Sequence, residues 1–271
     1  MLFKKKNKTA VDVDKRKGCL RRLIIGVVIV VVLGIISVIA AMKTLTVFGV
    51  GLNTFNDYVE WLNEPVDGNS IAKNPIRESD FTTFKAKAEA SGFTAFDLNG
   101  NVNLNIPTIA LNSNLTVADY ELGAMINNLS QKENGEKFFS LLELSITEIS
   151  DNLYTLTTVI KFDLSDIKTA LGKNANKVPS EIYLTCSGVA YTTGSRVQTK
   201  ENTVQINQLS KDKNDALIGF LNKVAKDTEN NEFLKIIDIN NYIVTEILTD
   251  LTQRSNTNPV LGNGTFSLIL K

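Results

Sequence analysis

The chain contains no histidine, which removes the commonest general base and metal ligand and, with it, any Ser-His-Asp arrangement. What remains for chemistry is a thin set of residues. Cys186 lies in the alternation Ile182, Leu184, Cys186, Gly188. That pattern reads as the dry face of a strand, so a small buried residue is expected there rather than a nucleophile without its base. Glu143 with Glu148, and Asp163 with Asp166, are the carboxylate pairs that could divide acid and base roles. On strand ends and at a helix start such groups are ordinarily solvated or capping. The run Asp163-Leu164-Ser165-Asp166 has neither the length nor the ligand count of a calcium loop. Gly49 and Gly51 follow no strand and do not read as a phosphate loop. The expectation is no enzyme, no cofactor and no metal.

The elements that would have to position any such group begin with an anchor. From Leu23 to Met42 no residue is charged and Ser37 is the only polar side chain. At 1.5 Å per residue the run covers about 30 Å, the thickness of bilayer hydrocarbon. It exceeds the apolar region of a signal peptide, about 7 to 15 residues, so a retained transmembrane helix over 23–42 is expected even though Val38-Ile39-Ala40 would tolerate cleavage. The tail before it, residues 1–22, carries nine basic and two acidic residues, a net charge of +7, leaving −7 for everything from Leu23 onward. That asymmetry places the N-terminus in the cytoplasm and the C-terminal part outside, as a single-pass protein of the cell membrane whose span contacts the lipid bilayer. An exported part with a net charge of −7 is a poor partner for nucleic acid. Cys19 precedes the span and Cys186 follows it, so the bilayer separates them and the exported domain must be held by its core rather than by a disulfide. Lys outnumbers Arg and Asn is abundant, a composition associated with AT-rich bacterial genomes.

Residues 43–80 read as a membrane-proximal connector. Leu52, Phe55, Val59 and Leu62 recur at helical spacing, which predicts an amphipathic helix, either laid on the membrane surface after a bend at Gly49-Val50-Gly51 or packed on the domain, with packing favoured; the stretch that follows, with Pro65, Pro75 and Asp67-Gly68, predicts a loop. Residues 81–271 form the exported domain. The signals there predict a helix from Asp80 to Ser91 capped by Ser79 and closed by Gly92, then a hairpin at Asn99-Gly100 with Val102, Leu104 and Ile106 alternating. A helix entered through a capping-box-like pair, Thr116 and Asp119, follows, with Ala118, Leu122, Met125 and Leu129 facing inward. Two long strands joined at Asp151-Asn152 come next, carrying Leu142, Leu144 and Ile146 on one and Leu156, Ile160 and Phe162 on the other. After them stand a short helix over 165–174, a second long hairpin turning near Gly194, a helix with Leu217, Phe220, Leu221 and Val224 aligned, another with Ile243, Ile247 and Leu251 aligned, and the terminal strand "GTFSLIL". Strands joined by turns give a mostly antiparallel sheet with helices on one face, an α+β domain.

The segment "NIPTIALNSNLTVADYELGAMINNLS" followed by "LLELSITEISDNLYTLTTVIKFDL" resembles membrane-anchored exported bacterial proteins with a tubular lipid-binding (TULIP-like) domain of the YpmS/YceB type. The resemblance covers about residues 93–271. It implies a long curved sheet wrapped around a helix, an apolar groove, and a non-catalytic role in holding or moving a lipid or other apolar ligand at the cell envelope. The candidate lining is then Leu122, Met125 and Leu129 on the helix with Leu156, Ile160 and Phe162 on the strand; read from the residues alone, these are core positions. The alternative is a structural or protein-interaction component of the envelope, with a protein partner and no small-molecule ligand. An elongated apolar cavity would favour the first reading and a closed core the second.

Overall fold

A computed structural model describes residues 52–104, 106–129, 139–165, 168, 179–227 and 244–271. The basic tail, the span read at 23–42, most of the helix read over 165–174, Asp166 and Ile243 lie outside the described residues. Among the described residues no helix is long and apolar enough to cross a membrane.

The amphipathic stripe after the glycines forms α1, Leu52–Leu62. Its apolar side turns toward the domain: Tyr58 and Leu62 are buried, and the Tyr58 ring lies 5.0 Å from that of Phe220. The stretch read as a loop holds a one-turn helix, α2, Gly68–Ile71. Gly68 is required there by space, because a Cβ would stand 2.7 Å from Tyr183 Oη. Helix α3, Glu78–Ala90, starts before the expected Asp80. The Asp80 carboxylate accepts the Arg77 N–H at 2.7 Å, so the acidic residue sits in the first turn and reaches back to the cap, while Ser79 is inside the helix rather than capping it.

The next segment departs from expectation in two places. Asn99-Gly100 does head a hairpin, but one only a single bridge long: Phe96 pairs with Val102, the Asp97 N–H donates to Asn101 O and the Asn103 N–H to Ala95 O, both at 2.8 Å, and Val102 alone of the alternating trio is buried. The Asp97 carboxylate accepts the N–H groups of Asn99 and Asn101 at 2.9 and 2.8 Å, a side-chain turn that closes the hairpin. Thr116 caps no helix. Leu115–Ala118 is a strand, β1, with Leu115 and Val117 buried and Thr116 bonded to Ser267 across the sheet at 2.8 Å. The helix α4 runs Asp119–Leu129, and the residue that reaches back is Glu121, whose carboxylate accepts the Ala118 N–H at 2.7 Å.

The long hairpins form as read. Strand β2, Ser140–Ser150, turns at Asp151-Asn152 into β3, Leu153–Asp163, and β4, Glu181–Thr193, turns at Gly194 into β5, Arg196–Ile206. Asn152 and Gly194 take the positive φ these tight turns demand, 62° and 59°. All four strands join in the order β2-β3-β4-β5, antiparallel throughout. A bulge between Leu141 and Glu143 breaks the expected alternation. Leu142 therefore leaves the face of Leu144 and Ile146 and packs with Ile71, Val159 and Tyr183 on the outer side, under α2.

Helix α5 spans Lys211–Asp227 with Leu217, Phe220 and Leu221 buried, and α6 spans Glu246–Ser255 with Ile247 and Leu251 buried. The terminal strand is not an addition to the long sheet. It is β7, Thr265–Leu270, the centre of a second antiparallel sheet ordered β1-β7-β6, with β6 at Thr257–Gly262. Pro259 demotes that segment as a strand in the sequence, and it is tolerated because β6 is an edge. The molecule is α+β as expected, with antiparallel pairing, but in two sheets that share one apolar interior with α1, α3, α4, α5 and α6.

Candidate functional site

Strand β3 sends Leu156, Thr158, Ile160 and Phe162 to the interior. Leu156 stands opposite Ile146 on β2 and Gly188 on β4; Ile160 stands between Leu141 and Leu184; Phe162 faces Ile182, with the Phe139 ring 6.3 Å away. Leu122 and Met125 of α4 meet the same interior, and Leu129 packs at its margin half-buried. The six candidates are thus brought together in one cluster. Five of them, all but Leu129, are at most 4% exposed, so protein atoms cover them in this conformation.

The titratable groups take structural roles. Burial pushes the Cys186 thiol up to about 12, against a lowering hydrogen bond with Thr158, so at neutral pH it stays protonated and is no nucleophile. Glu143 pairs with Val159 on the outer side of the sheet, whereas Glu148 pairs with Tyr154 on the inner side, so the structure does not bring them together. Buried Glu143 accepts the N–H groups of Lys73 and Asn74, tying the strap between α2 and α3 to β2. Asp163 accepts the Ser165 N–H at 2.9 Å, as a helix-starting carboxylate does. Among the described residues no group of three Cys, Asp or Glu is arranged to hold a metal ion.

The sequence did not single out buried Glu121, and it gave half-buried Asp119 only as a helix-capping partner. Glu121, 1% exposed, accepts from Lys87 Nζ at 2.8 Å as well as from the Ala118 N–H; a Glu three residues after Ala118, which precedes α4, was the available signal. Asp119 joins the two sheets. Its carboxylate accepts the Ile146 N–H of β2 at 3.1 Å, its own N–H donates to Gly264 O at 3.0 Å, and the Gly264 N–H donates to Ile146 O at 2.7 Å. Burial raises its pKa, with the Ile146 and Tyr120 N–H groups that its carboxylate accepts opposing and the nearby Glu143 adding to the rise.

The sheet edges are closed by side chains. On β2 the Asn127 amide accepts the Leu141 N–H and donates to Leu141 O, both at 2.7 Å. On β5 Asn214 accepts from Ile206 N–H at 2.9 Å and donates to Val204 O at 2.8 Å, while Thr249 accepts the Val197 N–H at 3.2 Å. At these positions the amides imitate a neighbouring strand and cover part of each edge against pairing with another chain.

No family model matches the chain, and no curated protein matches it. Among solved structures, the crystal structure of a lipopolysaccharide binding protein is similar over 58% of this chain at 9% identity, with a TM-score of 0.21. The chain spans 40% of the length of that structure, and a likeness at this score carries no argument.

Proposed function

We propose that this protein is a non-catalytic module tethered to the cell membrane by residues 23–42, with its domain outside the cytoplasm, where it binds a lipid or other apolar ligand. The observation that carries the reading is the length and character of the interior row along β3. From Leu156 to Phe162 it covers about 20 Å at the rise of a strand, longer than the roughly 15 Å available to an acyl chain in one leaflet of a 30 Å hydrocarbon core. The TULIP-like resemblance of the sequence points the same way. The test is Ile160→Asn and Phe162→Asn, one at a time. A position that a ligand reaches loses co-purified lipid while melting close to wild type, and a position that is only core costs several kcal/mol and unfolds the domain.

A second reading, an envelope interaction component without a small-molecule ligand, is favoured by one specific observation: Leu122, Met125, Leu156, Ile160 and Phe162 are covered by protein. Unfolding by both substitutions, with no lipid on the wild type, would select it.

A further inference from the structure

We draw no further inference here: the strongest candidate, the surface patch formed by the in-register hydroxyl row Ser145, Thr157, Ser187 and Thr203 across the outer face of the long sheet, carries nothing, because such side chains are ordinary on a solvent-facing strand surface and nothing among the described residues shows what covers it.

Discussion

At the scale of single residues, the asparagines carry more of the structure than their polarity suggests. Asn127 and Asn214 each satisfy one strand N–H and one strand C=O at an edge. Changing either to Ala leaves two main-chain groups without their partners and should cost about 1 to 3 kcal/mol, a drop of several degrees in Tm for a domain of this size; calorimetry on each variant checks it. Cys186, held protonated by burial, should not react with a thiol reagent until the domain unfolds, and reductant should leave Tm unchanged. Asp119 gives a pH dependence of defined sign. Its folded-state pKa is raised, so the folded protein takes up this proton at higher pH than the unfolded chain does. The cost of its half-buried charge is therefore present at neutral pH and is relieved as pH falls through the raised value. Urea unfolding of wild type and Asp119→Asn should show the balance moving toward wild type on acidification. A difference that stays constant with pH would remove the burial argument.

At the scale of elements, the sequence exposes periodic signals and hides those that depend on distant partners. Both long hairpins are legible because alternation persists over 11 to 13 residues and each turn carries Asn or Gly where φ must be positive. The bulge at Leu141/Glu143 is invisible to alternation, which is why Leu142 falls on the wrong face. Four residues, Leu115–Ala118, are too few to announce a strand, and their pairing with β7 is 147 or more residues away in the chain. The apolar candidates were legible as interior positions; the sheet-joining role of Asp119, read from sequence only as a capping partner, and the edge-closing amides were not, because those roles depend on what the fold brings beside them. Gly188 tests the packing between elements. A Cβ there would stand 2.0 Å from Asn202 Oδ1 and 3.2 Å from Lys200 O. Gly188→Ala should therefore cost about 1 to 3 kcal/mol by overpacking, read as a lower urea midpoint with an unchanged slope.

At the scale of the whole molecule, the proposed topology puts the basic tail inside, the span at residues 23–42 in the membrane and the domain outside, on the charge asymmetry of the sequence. A reporter fused after Lys271 should be active only outside the cytoplasm, and protease added to intact spheroplasts should remove the domain and spare a small basic stub. In that proposal the apolar row of β3, which shares its interior with α4, stands where an acyl chain is the most abundant apolar molecule. The most direct test of that central claim is native mass spectrometry of the full chain released from membranes in a mild detergent, with lipid extraction of whatever remains bound. The account predicts a discrete mass increment equal to a lipid or fatty acid, retained when detergent is stripped and lost from Phe162→Asn. Bare protein at every detergent energy, with no extractable lipid, would contradict it.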